Sequence, residues 1–264
     1  MKAFLAFFAG VTFFSTAAHA EFKNVVVKPE SEFTLPASCI GSNNRVQLKG
    51  ERVSIIKVSG ESYGLGLDDQ SEDLPMFFGS NGDSGVCILA IKYAENDVNE
   101  SFSLFVFDEG TDKYKASAVR MITNPEFVDE KISSNYNDGP VTHNDKLCFS
   151  RTINDYYVCE KREQFTEKLE KKEECNELSC SNSQIVKENT SEPVVALVVP
   201  SKAYLSNQSD DSKFIQRKAY LVQGDEVTLS DFFQGDDGLY YKIIYTGKTR
   251  TEGWISSTLL HVKN

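Results

Sequence analysis

The chain has 264 residues, 25% of them charged and 40% hydrophobic, with a formal net charge of -11. Such acidity argues against nucleic acid or an anionic membrane surface as a partner and favours cationic ones. After residue 20 no apolar run reaches transmembrane length, so the sequence does not read as an integral membrane protein.

Residues 1–20 read as a secretory signal peptide. Lys2 supplies the positive start, Ala3–Phe14 the apolar stretch and Ala18-His19-Ala20 the cleavage site. No cysteine stands at that site, so no lipid anchor is expected. The sequence predicts a soluble exported protein that begins at Glu21 and resides in the periplasm.

Residues 21–160 predict an acidic all-β domain. They carry 13 basic and 23 acidic residues, against 8 and 8 in residues 193–264. Strands are expected at Asn24–Val27, Arg52–Val58, Met76–Phe78, Val86–Tyr93, Phe102–Phe107 and Lys113–Val119. Further strands are expected at Lys131–Tyr136, Lys146–Arg151 and Tyr156–Glu160. Turn chemistry separates them, at Gly41–Asn44, Gly79–Gly85 and Asp108–Asp112 among others. Strand count without pairing leaves a sandwich and a propeller both open.

All six cysteines lie beyond residue 20, and an even count in an exported chain favours three disulfides. Cys148 and Cys159 are symmetric about Ile153-Asn154, the turn of an expected hairpin. Cys175 and Cys180 close the short loop CNELSC. Cys39 and Cys87 then pair by elimination. There is no C-x2-C pair, and only His143 and His261 remain after cleavage, so neither a metal site nor any cofactor is implied.

Residues 161–192 read as a charged linker. Within it, Glu163–Glu174 alternates charge signs and spaces Phe165 and Leu169 four apart, which predicts a short exposed helix. Residues 193–264 predict a second, small β domain.

Several short motifs need weighing for chemistry. Gly82-Asp83-Ser84-Gly85 matches the surroundings of a serine-protease nucleophile, yet the only upstream histidine, His19, leaves with the signal peptide. A tight turn is the better reading. The carboxylates Asp68-Asp69 and Glu72-Asp73 sit too close together in one loop for a glycosidase pair. His143 is expected in an exposed loop, Gly139–Asp145. Tyr136, Tyr156 and Tyr157 flank that region, and one of Tyr156 and Tyr157 must point outward on a strand. The loop with Tyr136, Asn137, Asp138 and His143, and the tip with Asn154, Asp155, Tyr156 and Tyr157, are the candidate partner-binding residues.

In the C-terminal part, Tyr204-Leu205, Gly224-Asp225-Glu226-Val227, Gly238–Ile243, Gly253-Trp254-Ile255 and Leu259-Leu260 form an ordered set. This set resembles the bacterial SH3 (SH3b) family and covers roughly 70 residues. The resemblance implies a small, partly open β-barrel that binds peptidoglycan, cell-wall peptide or another protein. It places Tyr204, Tyr240 and Trp254 along a groove, and Leu239 stands where family members commonly carry Trp. Tyr240 and Tyr241 cannot both face that groove.

Phe105-Val106-Phe107-Asp108, Gly110, Lys113-Tyr114, Asn124-Pro125-Glu126 and Ile132-Ser133-Ser134 resemble a family of periplasmic immunity proteins. These neutralise peptidoglycan-hydrolase toxins delivered by bacterial killing systems, and have an irregular β-propeller-like fold. Some relatives carry a calcium loop at the place that here reads Ser80–Gly85, where a single carboxylate predicts no calcium.

The resemblance implies a non-enzymatic protein. It would occlude a cationic, secreted peptidoglycan hydrolase, lysozyme-like or amidase-like. The alternative is a cell-wall protein that holds peptidoglycan through its SH3b domain.

Overall fold

Period-two alternation of apolar and polar residues runs through most of the chain, and strands follow from it. The computed structural model describes residues 22–35, 39–67, 72–80, 85–128 and 131–263. In chain order the first strands are β1 (Lys23–Val27), β2 (Ser31–Thr34), β3 (Arg45–Lys49), β4 (Arg52–Ile56) and β5 (Ser62–Gly64). They are followed by β6 (Leu74–Ser80), β7 (Cys87–Glu95), β8 (Glu100–Asp108), β9 (Lys113–Thr123), β10 (Glu126–Val128) and β11 (Lys131–Asp138). The middle of the chain holds β12 (Val141–Ser150), β13 (Asp155–Gln164), β14 (Leu169–Glu174) and β15 (Gln184–Lys187). The last strands are β16 (Val195–Val198), β17 (Ala203–Gln208), β18 (Phe214–Leu221), β19 (Glu226–Gly235), β20 (Gly238–Thr246), β21 (Arg250–Ser256) and β22 (Leu260–Val262). Among the described residues there is no α-helix, and the protein is all-β.

Four sheets result. One has the order β1-β6-β7-β8-β9, and β2 to β5 form a second as a simple meander. A third runs β10 to β15 in sequence order, and the fourth has the order β18-β17-β21-β20-β19-β16-β22. The first two sheets share a core. Val46, Leu48, Val53 and Ile55 alternate inward from β3 and β4, while Cys87–Ile91 of β7 is buried throughout. Ile132, Leu147 and Tyr156 of the third sheet enter the same core. Gly41 is required there. Its φ is +95°, and a Cβ would stand 2.3 Å from the Phe107 ring.

A second core gathers Val198, Leu205, Leu229, Ile243 and Ile255 of the fourth sheet, with Leu169 and Ile185 from β14 and β15. The third sheet therefore has one end in each core. Its middle is ionic. Arg162 donates to Glu160 at 2.8 Å and to Glu170 at 2.6 Å, and Lys146 and Lys172 also pair with Glu160.

The expected helix at Glu163–Glu174 is not formed; the stretch belongs to β13, a turn and β14. Phe165 and Leu169, which suggested one helix face, flank that turn and both reach the second core. Phe165 stacks on Phe232 with ring centroids 3.9 Å apart. Thr166 Oγ1 accepts from the backbone N–H of Leu169 at 3.0 Å and closes the turn. The alternating charges satisfy one another across strands rather than along a helix, and residues 161–192 are not a free spacer. Lys171 reaches Asp231 at 3.1 Å, tying the third sheet to the fourth.

Three disulfides join Cys39 to Cys87, Cys148 to Cys159 and Cys175 to Cys180, the last two expected from spacing and the first by elimination. They suit an oxidising compartment outside the cytoplasm. The second pair is not directly opposed. Cys148 faces Tyr157, and a register shift near Lys146–Leu147 leaves Cys159 as an extra residue on β13. Among the described residues no helix is long and apolar enough to cross a membrane. Residues 1–20, expected to be a signal peptide, and Asp68-Asp69 and Gly82-Asp83-Ser84 lie outside the described residues. Asp73 pairs with Lys28.

The ionic middle of the third sheet yields two expectations. Replacing Arg162 with Ala leaves Glu160 and Glu170 without their shared partner and costs about 3 kcal/mol, measured by urea unfolding. Burial pushes the Glu160 carboxyl up, but Arg162 and Lys146 outweigh it and hold it at about 2, against 4.5 for an ordinary glutamate. A depressed folded pKa stabilises fully above the unfolded value. Melting temperature should therefore fall as pH drops from 4.5 towards 2, and Glu160→Gln should flatten that dependence.

Candidate functional site

Four asparagines build one end of the molecule. In the β7–β8 turn, Asn96 Oδ1 accepts from the N–H groups of Val98 and Asn99, at 3.1 and 2.8 Å. Asn99 then reaches across to the β11–β12 hairpin. Its Nδ2 donates to Asn137 O at 3.2 Å, and its Oδ1 accepts from Asn137 N at 3.3 Å. Asn124, after β9, donates to Val98 O at 3.1 Å and accepts from Glu100 N at 2.8 Å. Three turns from two sheets are clasped together by these hydrogen bonds.

The clasp displays apolar side chains that stay exposed among the described residues. Val98 is 60% exposed, Met121 53% and Tyr93 39%. The Tyr93 hydroxyl meets the Met121 sulfur. Asn96, Asn99, Met121 and Tyr136 line a concavity of about 290 Å³. Beside it Tyr136 stacks on His143, with centroids 4.4 Å apart and planes 5° from parallel.

His143 is thus not in a loop. The Gly139-Pro140 turn is only two residues long, Gly139 adopting φ +59°, so β12 resumes at Val141 and pairs His143 with Tyr136.

Carboxylates accompany this face: Glu95, Asp97, Glu100, Asp138 and Asp145. Lys92 pairs with both Glu95 and Glu100. Burial pushes the Asp145 carboxyl above its usual range, opposed by Lys161 and His143. Burial also raises the Tyr136 hydroxyl, helped by Asp145 and Glu163. An aromatic and thioether surface with an acidic border is suited to gripping a basic protein.

The predicted partner-binding residues do not form one site. Tyr136, Asn137, Asp138 and His143 belong to the clasped end. Asn154, Asp155, Tyr156 and Tyr157 lie at the other end of β12, about 23 Å away at 3.3 Å per residue from His143 to Ser150. Two of that second group are corrected outright. Tyr156 is 0% exposed and packs edge-on against Phe149 in the first core, so it offers nothing to a partner. Asp155 is buried; it accepts from Ser117 Oγ at 2.6 Å and Ala118 N at 2.9 Å. Asn154 occupies the turn with φ +49°, and Tyr157 is half-buried.

In the fourth sheet Tyr241 faces the core and Tyr240 faces away from it. Phe214 stacks on Tyr240 at 4.0 Å and lies 5.5 Å from both Trp254 and Phe233. Phe214, Phe233 and Tyr240, with Asp211, Asp236 and Asp237, line a cavity of about 630 Å³. Tyr204 is not part of this cluster; it packs on Tyr220, with Lys202 Nζ 4.0 Å above the Tyr220 ring.

Reading from sequence missed Phe214 and Phe233 here, and Tyr93, Val98 and Met121 at the clasp. Val98 did carry a signal, as an apolar residue inside the polar turn Glu95–Glu100.

The two kinds of residue separate in a stability measurement. Asp155→Ala removes the hydrogen bonds its carboxylate accepts from Ser117 Oγ, Ala118 N and Tyr156 N and should cost about 2 kcal/mol in urea unfolding. Met121→Ser touches no core and should change stability by less than about 0.5 kcal/mol.

Comparison with protein-family models, with curated proteins and with solved structures finds no match to this chain.

Proposed function

We propose that this is an exported binding protein, an immunity protein that occludes a basic peptidoglycan hydrolase in the periplasm. The observation that carries this reading is the clasped end, where Tyr93, Val98, Met121 and the Tyr136–His143 stack are held outward among carboxylates. Scattered single apolar residues on a surface need no explanation, but a grouped set on a hydrogen-bonded frame does. The charge of -11 supports it, because an acidic protein is steered towards a cationic partner. The disulfides and the asparagine clasp support it further, since a preorganised face loses little freedom on docking. In this reading residues 1–20 are a cleaved signal peptide. The N-terminal unit is a propeller-like or sandwich inhibitor fold, and residues 193–264 are an SH3b-type barrel.

A second reading, retention on the cell wall, draws on the Phe214–Phe233–Tyr240 cavity beside Trp254. Aromatic faces flanked by carboxylates suit sugars or wall peptides. The two readings are compatible, with the fourth sheet keeping the inhibitor near the wall.

Co-expression in the periplasm with the product of the adjacent gene tests the first. The neighbour should be toxic alone and be relieved by this protein. Relief should fall at least tenfold with Met121→Asp or Tyr136→Ala, with no loss of folded protein. If no neighbour is toxic alone and relieved, the immunity reading fails. Co-sedimentation with purified peptidoglycan, abolished by Tyr240→Ala together with Trp254→Ala, tests the second.

A further inference from the structure

Two cavities adjoin at the turn that leaves β15, and neither reading above uses them. The first holds about 770 Å³ and is lined from both the third and the fourth sheet. Its floor is apolar: Leu169 and Val194 are buried there, and Val262 of β22 completes it. Its rim sets Glu167 and Glu188 against Lys168, Lys187 and Lys263, so charge there is close to balanced. Lys187 is also met by Glu192 at 3.7 Å, and Lys263 by Glu226.

The second cavity holds about 320 Å³ and lies on one face of the third sheet. Asn135, Asn144, Thr142 and Gln164 line it, with Asn189 from the turn. Asn135 stands opposite Asn144 and Thr142 opposite Gln164, so strand alternation puts all four on that face. The cations here are already satisfied. Arg162 is held by Glu160, Glu170 and the Thr190 carbonyl, and Lys146 by Glu160. The amides keep spare capacity. Asn144 donates to Asn135 Oδ1, and Gln164 Nε2 donates to Glu188 Oε1 at 3.4 Å. Each amide has two N–H donors and an oxygen with two lone pairs, so these bonds leave positions unused.

One turn serves both cavities. Glu188 lines the two of them, and on β14 Leu169 turns to the first and Glu170 to the second. Thr190 lines the first, and its carbonyl accepts from Arg162 of the second at 2.9 Å. The turn is fixed in place. Glu188 N donates to Lys168 O at 2.9 Å, Thr190 Oγ1 to Lys187 O at 2.9 Å and Asn189 N to Glu170 Oε2 at 3.3 Å.

From this juxtaposition we infer that the two cavities form one binding site for a neutral, sugar-headed amphiphile, with its alkyl tail in the first and its hydroxylated head in the second. An apolar concavity with a few placed polar groups is the usual form of a small-ligand site. Removing the tail from water supplies affinity. Amides that both donate and accept match hydroxyls, which do the same. A charged head fits less well, because Arg162 and Lys146 already have carboxylate partners. The inference is independent of both the inhibitor reading and wall retention.

The test titrates the full mature chain with octyl β-D-glucoside below its micelle-forming concentration, read by isothermal titration calorimetry. Methyl β-D-glucoside supplies the head alone, n-octanol the tail alone and octanoate a charged head on a like tail. Octyl glucoside should bind once per chain, at least tenfold more tightly than any of the three. Asn144→Ala together with Gln164→Ala should weaken it at least tenfold and leave octanol binding as it is, which a general loss of structure would not do. Val262→Glu should weaken octyl glucoside and octanol alike; if that variant does not fold, the amide pair still decides. The inference is overturned if octyl glucoside does not bind, or if octanol binds as tightly, since the second cavity then has no part. It is overturned equally if octanoate binds more tightly, or if Tyr240→Ala with Trp254→Ala abolishes binding, which places the ligand in the aromatic cavity instead.

Discussion

Arg162 lies with 11% of its side chain exposed, between Glu160 and the almost fully buried Glu170. It also donates to the carbonyl of Thr190 at 2.9 Å. Around it Lys146, Lys172, Glu174 and Ser191 complete a chain of paired charges on one face of the third sheet. Taking this many ions out of water is expensive, and apolar residues would fill the space at lower cost. What the network supplies is register. The alignment of β13 with β14 sets Glu160 opposite Glu174 and Arg162 opposite Lys172, so the ion pairs run diagonally, Arg162 to Glu170 and Lys172 to Glu160, and a slip of one residue would turn one strand's partners to the other face. The two ends of the third sheet hang on the same strands. The clasped end begins where β11 and β12 meet, and the Cys175–Cys180 ring is anchored on the last residues of β14 and on Cys159 of β13.

Much of the strand framework was legible. Phe102–Phe107, Lys113–Val119 and Lys131–Tyr136 fall within β8, β9 and β11, because alternation and turn residues dominate there. The disulfide pairs were legible too, Cys148–Cys159 and Cys175–Cys180 from spacing and Cys39–Cys87 by elimination. Glu163–Glu174 was not. Its charges alternate in a way that serves a helix surface or a paired strand equally well, and only partners elsewhere in the chain decide. Here the partners are Glu160, Arg162 and Asp231, and local spacing contains none of that information. His143 was misplaced for a smaller reason: Gly139-Pro140 looked like the start of a long loop, and the turn proved to be complete in those two residues.

The surfaces were harder to read than the strands, since exposure is a tertiary property. Tyr136 and His143 could be named, but their stacking depends on register across β11 and β12. Tyr156 and Tyr157 could be recognised as an inward and an outward residue without knowing which was which. The core decided it, through Phe149. The aromatic cavity of the fourth sheet needs Phe214, which comes from β18, a strand with no aromatic motif around it. Leu178 was visible in the sequence as a leucine in a cysteine-closed loop, yet nothing short of its 96% exposure separates a displayed leucine from one folded under.

The clasped face and the opposite tip are linked through one irregularity in β9. Phe107 pairs with Tyr114 and Phe105 with Ala116, but Ser103 pairs with Met121. Continuing the first register would have set Met121 opposite Glu100, at the end of the hairpin. Extra residues within Ser117–Arg120 shift it by three positions, to where it meets Tyr93 and lines the concavity. Tyr93 is itself an extra residue, at the shift between Lys92 and Ala94. The β9 irregularity is held by Asp155, through Ser117 Oγ and Ala118 N. A buried carboxylate near the β12–β13 turn therefore fixes the phase of a methionine displayed some seven residues of β12 away. Asp155 is a positioning residue for that exposed face, through Ser117 and Ala118. It does by burial what its place in a hairpin tip first suggested it would do by exposure.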